Sequence, residues 1–383
     1  MKIIRLIFIF FLIIFTCPVV FCKEIVEDFD ENPEILQNKT AEASEILLET
    51  SENLDVIEEL ISKGKNIKAL EEIKKLPETN ETKVTTAKIY INLSMFSNAE
   101  KSLEGTTGNE AEMLKYIVKR EKGLVILPNY MWYDQELADE YDLDYQKYDI
   151  YLSEKGAYNT DFFIDYGIIA YQSGSYYHQA NTTNEIWGGI KGKPNEHFEY
   201  SANLGAKIFQ FDVGNILISD SYLRYNKNDN TTWQLGYYRD NVEQSYLSAV
   251  GMTVNGIFEG QVIENKFYIL GNFKYPNKVR LKARAAYGYL TAINLPDNQY
   301  VDGYVKLFRN FYDNPENKFI QTVDLGIVTH SYSYQYNLLN LYDKQGVLYG
   351  GYFSPSFYNE TLFDFIVEGE KPNLKLRYGV KGF

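Results

Sequence analysis

Hydrophobic and polar positions follow two different periods along this chain. Between about residues 53 and 121, apolar residues recur at every third or fourth position, as in Leu54, Ile57 and Leu60. This spacing predicts short amphipathic helices. From about residue 122 to the C-terminus the period is two, which predicts β-strands with one apolar and one polar face. We therefore expect a mainly β protein with a small α region on its N-terminal side.

The alternating part contains many strands separated by turns rich in Asn, Gly, Pro and Asp. The clearest alternating runs are 148–152, 162–168, 209–213, 231–237, 279–285, 319–327 and 374–380. We expect strands of about 9 to 12 residues, which is the length that crosses a bilayer when the strand is tilted. Alternation alone fits two folds. A sandwich packs its apolar side chains inside, whereas a membrane barrel turns them toward lipid.

The helical part carries a weak sign of repetition. Ala69 in NIKALEEI and Ala99 in FSNAEKSL lie 30 residues apart in similar helices. This spacing is close to that of TPR-like helix pairs, in which a small residue lets neighbouring helices approach. The alternative is a small helical hairpin that leans on the next domain.

The N-terminus has the pattern of an export signal. Lys2 and Arg5 precede an apolar run that ends near Phe15, so residues 1–22 are predicted to be a signal peptide. Cleavage after Cys22 leaves no cysteine, although Cys22 is alternatively a lipidated N-terminus. Residues 23–52 are predicted to be an acidic linker. The formal net charge of −14 argues against a nucleic-acid partner.

No catalytic constellation is evident. The three histidines, His178, His197 and His330, are scattered along the chain. Asp161 and Asp165 have the residue types of a glycosidase pair, but such pairs also arise by chance. We expect no enzyme activity, no cofactor and no metal site.

Several segments carry a more specific signal. R-x-x-V-x-x-S-x-L-S-x-x-G at 239–251, the turn VNGIFEG, the stretch INLPDNQYVDGY, and YNLLNLY followed by GGYFSP resemble the C-terminal outer-membrane domain family of cellulose synthase operon protein C. The likeness is strongest over residues 230 to 356 and is one of pattern only from 123 to 230. The motif residues are Arg239, Ser245, Ser248, Asn294, Asn298, Asn337, Gly351, Tyr352, Phe353, Ser354 and Pro355.

The resemblance implies an antiparallel transmembrane β-barrel of about 12–16 strands, at residues 122–383, preceded by a short TPR-like segment at 53–121. It also implies export of an exopolysaccharide. Two departures are visible: only 28 residues follow Pro355, enough for two strands, and the helical segment is too short to cross the periplasm. Arg239, Ser245 and Ser248 either line the path or fix a turn, and Tyr352 to Pro355 are expected to form a structural corner.

In a barrel, the polar phase of the strands would line the polysaccharide path. The candidate lining residues are Gln210, Asp212, Arg280, Lys282, Arg284, Lys375 and Arg377. The basic members either favour an anionic polymer or pair with luminal carboxylates.

Three functions remain open at this point. The first is a bacterial outer-membrane export channel, with its helical segment in the periplasm. Its partners would be a polysaccharide chain, outer-membrane lipid and a periplasmic or inner-membrane synthase complex. The second is a closed outer-membrane structural protein or adhesin. The third is a secreted, soluble glycan-binding β-domain, which would be purified without detergent.

Overall fold

The computed structural model describes residues 53–135, 143–173, 180–210, 213–254, 256–313, 322–336, 341–342, 348–349, 354–371 and 376–382. The predicted signal peptide (1–22) and acidic linker (23–52) lie outside these residues.

The described chain begins with five consecutive helices. They are α1 (53–62), α2 (Asn66–Ile73), α3 (Asn80–Asn92), α4 (Phe96–Ser102) and α5 (Asn109–Glu121). Ala69 and Ala99 are both fully buried. Ala69 lies in a core with Ile57 and Ile89, and Ala99 lies in a second core with Val84. The two alanines therefore have the packing role that their spacing suggested. The likeness to TPR units stays a prediction.

None of the helices in the described part of the chain combines the length and the apolar composition that a bilayer-spanning helix requires.

Residues from 125 onward form strands. They are β1 (Val125–Gln135), β2 (Leu143–Lys155), β3 (Thr160–Ser173), β4 (Ala180–Gly192), β5 (Phe198–Phe209), β6 (Ile216–Asn228), β7 (Thr231–Asn241), β8 (Met252–Val254), β9 (Ile257–Lys274), β10 (Val279–Ile293), β11 (Asn298–Asp313), β12 (Thr322–Tyr334), β13 (Leu341–Tyr342), β14 (Leu348–Tyr349), β15 (Tyr358–Lys371) and β16 (Leu376–Gly382). A short helix, α6 (Tyr246–Ala249), lies between β7 and β8.

Thirteen of the described strands form one antiparallel sheet in the order β1-β2-β3-β4-β5-β6-β7-β9-β10-β11-β12-β15-β16. The short β8 pairs with β9, and β13 and β14 form a separate ribbon. Strands that neighbour each other in sequence also neighbour each other in the sheet, as hairpin connections require. Within the described residues no pairing joins β1 to β16, so the mainly β, antiparallel fold is confirmed and closure into a barrel is not.

The strands are longer than the sequence indicated. β3 has 14 residues, β9 has 18 and β11 has 16. The hairpin turns are correspondingly tight. In the β2–β3 turn, Tyr158 and Asn159 have left-handed backbone angles, and Asn277 and Lys278 repeat this conformation in the β9–β10 turn. Polar residues near the turns still pair with the neighbouring strand, so a prediction based on polarity alone gives strands that are too short.

The sheet has two unlike faces. One parity of each strand exposes large apolar side chains, and we call it the apolar face. Examples are Ile150, Ile164, Leu204, Leu235, Phe267, Val305, Leu307 and Ile327. The other parity, the polar face, buries ionisable and amide side chains. Examples are Asp149, Glu185, Lys207, Gln234, Asp302 and Asn310.

The sheet also has two unlike ends. The helices lead directly into β1, so the tight turns after β2, β4, β6 and β9 lie at the helix-bearing end. The opposite end carries the connection between β7 and β9. The described part of this connection, residues 242–254 and 256, is called the inserted segment because it packs on the polar face. Its buried Tyr246, Leu247 and Met252 contact residues of β2, β3, β5 and β6.

Candidate polar path and inserted segment

The inserted segment is held by its own serines. Ser245 and Ser248 form a reciprocal capping box at the start of α6, and both are fully buried. The Ser248 hydroxyl also donates a hydrogen bond of 2.8 Å to the carbonyl of Val242. Asn241 Nδ2 donates to the carbonyl of Ala249 at 3.0 Å. These two motif serines therefore fix a turn, which is one of the two roles expected from the sequence.

Apolar packing holds the segment against the sheet. Its partners on the polar face are Leu143, Tyr145, Ile169, Tyr171, Phe209, Ile216 and Ile218, all of them buried. At this end, the polar face is therefore locally apolar. This corrects the phase expected for the end of β5. Phe209 packs under the segment, and Gln210 lies exposed, with the parity of Leu204 and Ile208. A core beneath the segment needs aromatic side chains on that face. Gln210 directly follows the end of β5, and its lining role stays a prediction.

A buried lysine links the sheet to the segment. Lys207 is 2% exposed. Its Nζ lies 2.8 Å from Asp240 Oδ1, 3.0 Å from Glu243 Oε1 and 3.5 Å from Glu185 Oε2. Tyr171 Oη also donates to Glu243 Oε1, at 2.6 Å. Because Glu243 belongs to the inserted segment, this network, which we call the Lys207 cluster, attaches the segment to β3, β4, β5 and β7.

A second network centres on Asp302, which is 1% exposed. Arg284 Nη2 lies 2.6 Å from one carboxylate oxygen, and His330 Nε2 lies 2.8 Å from the other. The other ring nitrogen of His330 is 2.7 Å from the hydroxyl of Tyr332. Lys266 Nζ approaches Asp302 to 3.7 Å. Arg284 thus follows the expectation that basic lining residues pair with carboxylates.

A cavity of about 270 Å³ separates the two networks. Residues of the inserted segment form one side, and tyrosines and ionisable residues of β9 to β12 form the other. Its lining includes Val242, Glu243, Gln244, Glu264, Lys266, Tyr300, Asp302, His330, Tyr332 and Tyr334. Tyrosine rings beside carboxylates and cations supply both stacking surfaces and hydrogen-bond partners, which is the chemistry that sugars require.

A third group of charges lies toward the helix-bearing end. Arg280 and Lys282 have the same parity as Arg284 on β10, and Lys282 faces Lys306 of β11 directly. We call Arg280, Lys282 and Lys306 the cationic group. The guanidinium of Arg280 lies 5.8 Å from the ring centre of Phe308, and Lys306 Nζ lies 5.1 Å from it. No carboxylate of the described residues lies within 4.0 Å of Arg280 or Lys282.

Three other motif residues, Asn298, Asn294 and Arg239, make hydrogen bonds to backbone atoms. Asn298 is buried, and its side chain both donates to the carbonyl of Tyr336 at 2.8 Å and accepts from its amide at 3.1 Å. Asn294 adopts a left-handed conformation and donates to the carbonyl of Phe258 at 2.8 Å. Arg239 donates to the carbonyl of Leu217 at 2.9 Å. These contacts join neighbouring strands at the end that carries the inserted segment.

The GGYFSP motif is described only in part. Ser354 is fully buried, and the carbonyl of Pro355 accepts a hydrogen bond of 3.1 Å from the amide of Tyr334. Arg377 lies in β16, but its side chain is outside the described residues. The remaining predicted residues also lie outside the description: Asp212, Asn337, Gly351, Tyr352, Phe353 and Lys375.

The helices are attached to the turns of the sheet. Asp229, in the β6–β7 turn, accepts hydrogen bonds from the amides of Ile67 and Lys68 at 2.9 and 3.2 Å. Asn159, in the β2–β3 turn, accepts from the amide of Ser97 at 2.8 Å. The helices α2 and α4 have no side-chain cap of their own, so turns of the sheet provide their N-terminal caps.

An ion pair adds to this attachment. Lys74 Nζ lies 2.7 Å from Glu196 Oε1 in the β4–β5 turn. Burial alone would raise the pKa of Glu196, but the hydrogen bond and charge of Lys74, a backbone hydrogen bond and the nearby His197 together outweigh burial and leave that pKa below its usual value. In the same turn, Lys193 Nζ donates to the carbonyl of Leu93 at 2.9 Å, and burial lowers the pKa of Lys193.

Three residues that organise the polar face were not identified from the sequence: Lys207, Asp302 and His330. Lys207 and Asp302 both lie outside the alternating runs that were identified in the sequence. Extending the two-residue period through all of β5 and β11 would have placed both on the polar face. Their pairing partners lie 18 to 36 residues away in sequence, and no local pattern indicates them.

The comparison with protein families gives one match. The model described as the cellulose synthase operon protein C C-terminus matches residues 156–380, more than half of the 383-residue chain. The match starts earlier than the likeness noted in the sequence, which was specific only from about residue 230. No curated protein matches the chain. The chain belongs to the cellulose synthase operon protein C C-terminus family.

Proposed function

We propose that this protein is an outer-membrane channel that exports an exopolysaccharide, with its helices on the periplasmic side. One observation carries the proposal: large apolar side chains are exposed on one face of the sheet, while ionisable side chains are buried on the other. A sheet of a soluble protein usually has the opposite arrangement. Apolar side chains on the outside and ionisable side chains on the inside are expected of a sheet that closes with its apolar face on lipid and its polar face on an aqueous path.

Closure is part of the proposal. A bilayer cannot satisfy the free backbone groups of an open sheet margin, so β1 and β16 have to be joined or covered in the membrane. Most of the strands are long enough for a tilted crossing; β10, for example, has 15 residues. The family supports a link to cellulose synthesis, since its description names the cellulose synthase operon.

The polar face offers contacts suited to a sugar chain. The cavity beside the inserted segment combines tyrosine rings with Glu264, Lys266 and Asp302. A conduit needs several such contacts, each weak, so that the polymer is guided and then released. The partners implied are the polysaccharide, outer-membrane lipid and a synthase complex that supplies the chain.

A second candidate is a closed outer-membrane structural protein. The inserted segment favours this reading, since it covers the polar face at one end with an apolar core and the Lys207 cluster. Under the export proposal the segment narrows the path and is displaced when polymer passes. Under the second candidate the inserted segment stays in place and blocks the path permanently.

Purification and planar-bilayer recording separate these readings. We expect the full chain to partition with the outer membrane, to need detergent, and to give conductance steps that a soluble glucan blocks. Steps that a glucan does not block would indicate an ion channel without polysaccharide transport. Absence of steps, even from a chain with a loosened inserted segment, would support the structural protein. Purification as a monomer without detergent would support the soluble glycan-binding domain.

A further inference from the structure

Most cations described on the polar face have a carboxylate partner. Lys207 has three, Arg284 has Asp302, and Arg224 is 3.1 Å from Glu199. Two members of the cationic group at the helix-bearing end, Arg280 and Lys282, differ from them. Arg280 and Lys282 have no carboxylate within 4.0 Å among the described residues. The exception needs an explanation, because cations placed side by side repel one another.

The register of the sheet identifies the neighbours of Arg280 and Lys282. On β9, Lys282 faces Asn272 and Arg280 faces Lys274. On β11, the same two residues face Lys306 and Phe308. Their direct neighbours are therefore cations, an aromatic ring and an amide. At this level an acid, Asp364, faces Gly326 from β15, which lies three strands away from β10.

The ring completes the arrangement. The ring centre of Phe308 lies 5.8 Å from the guanidinium of Arg280 and 5.1 Å from Lys306 Nζ. An aromatic face can stack on a sugar ring, and cations beside it can hold a negatively charged substituent of that sugar. Arg280 is exposed and Lys282 is partly exposed, so a ligand can reach both side chains from water.

We propose that Arg280, Lys282 and Phe308 form a subsite for an anionic substituent carried by the exported polysaccharide. This rests on the proposed function and narrows its substrate class from any glucan to one that bears carboxylate or phosphate groups. The subsite lies on the helix-bearing side of the Asp302 network, so the polymer meets it before it reaches the inserted segment. The positive side chains attract and orient the charged substituent, while Phe308 supports the sugar ring.

Binding to the full chain in detergent tests the proposal. Three fluorescent gluco-oligosaccharides of equal length serve as probes: a neutral one, one oxidised to carboxylates and one carrying phosphate esters. We expect at least one anionic probe to bind about tenfold more tightly than the neutral probe, with a preference that decreases as salt rises. Equal binding of both anions would assign the shared charge, and binding of only one would identify the substituent.

Variants localise the effect. Lys282→Gln and Arg280→Gln should each remove most of the preference by weakening binding of the anionic probe about tenfold. Lys191→Gln is the matched control. Lys191 also lies toward the helix-bearing end, but it has a carboxylate partner, Glu199, at 3.6 Å. This control removes the same unit of charge and should keep the preference.

The outcomes separate this inference from the function on which it rests. Wild-type protein that binds all three probes equally would overturn the anionic subsite and leave export intact. A preference that survives in both Lys282→Gln and Arg280→Gln would also overturn it. Wild-type protein that binds none of the probes and gives no glucan-sensitive conductance would overturn both.

Discussion

Two lysines on the polar face have opposite surroundings. Lys207 is buried and lies within 3.5 Å of three carboxylates, one of which belongs to the inserted segment. Lys282 is partly exposed and faces another lysine. The first charge is fully engaged within the protein, so its role is to hold structure. The second has no carboxylate within 4.0 Å among the described residues, so it is available to the anionic substituent proposed above. Under this proposal, charge on one face of the sheet serves two purposes at its two ends.

Removing each lysine is the strongest test of this comparison. Lys207→Met leaves Asp240 and Glu243 buried without their cation, while Glu185 keeps Lys147, and we expect the free energy of unfolding to fall by about 3–5 kcal/mol. Lys282→Met relieves repulsion, so its free energy of unfolding should stay within about 0.5 kcal/mol of wild type. Denaturant unfolding in detergent, followed by circular dichroism, measures both. Equal losses would remove the distinction between the two sites.

The inserted segment can be displaced without altering any charge. Gly260 has a φ of +100°, and a Cβ there would overlap the carbonyl of Leu247. Gly260→Ala therefore combines backbone strain of about 1–3 kcal/mol with a clash against the segment. We expect larger or more frequent conductance steps in planar bilayers.

Gly256→Ala is the matched control for that variant. Gly256 has a φ of +83°, yet nothing lies within 4 Å of the Cβ position. It carries the strain without the clash, so its conductance should resemble wild type. If both variants or neither opened the channel, displacement of the segment from β9 would not explain the steps.

The attachment of the helices should be weaker than the Lys207 cluster. Asp229→Ala removes the acceptor for the first amides of α2, and we expect a loss of about 1 kcal/mol with faster amide exchange of Ile67 and Lys68. Asp229→Asn keeps one acceptor oxygen and should show a smaller change. Hydrogen exchange followed by mass spectrometry measures these amides. Unchanged exchange in the alanine variant would contradict capping by the turn.

The smallest expected effect concerns pH. The pKa of Glu196 is lowered in the folded protein, so its contribution is present above the usual carboxyl pKa and is lost as pH falls through the lowered value. An exposed pair of this kind contributes about 0.2–1 kcal/mol. We expect amide exchange of the β4–β5 turn to rise below about pH 4 in wild type. Lys74→Gln should remove this acid dependence, and persistence of the dependence would assign it to another group.

Much of the fold follows from local pattern. The two-residue period correctly places Arg280, Lys282 and Arg284 on one face of β10, since alternation along a single strand fixes which side chains share a side. The turn at Pro276 and Asn277 is also visible in the sequence, because these residues suit its backbone angles. Such features depend only on residues close together in the chain.

The rest depends on residues that are distant in sequence. Phe209 is buried in an apolar core beneath the inserted segment, so at the end of β5 an apolar residue does not mark the apolar face. Lys207 takes its partners from β4, β7 and the inserted segment, and only the assembled sheet brings them together. The same holds for Asp302, whose partners come from β10 and β12.

The caps that Asp229 and Asn159 provide have a consequence for assembly. The amides at the start of α2 and α4 find their acceptors only after the β6–β7 and β2–β3 hairpins have formed. The helical region is made first during synthesis, yet it cannot complete its structure until much later residues fold. The helices α2 and α4 therefore become fully ordered only when the sheet has folded. In a chain that stalls before the hairpins form, these helices would be frayed at their N-termini and sensitive to the proteases of its compartment.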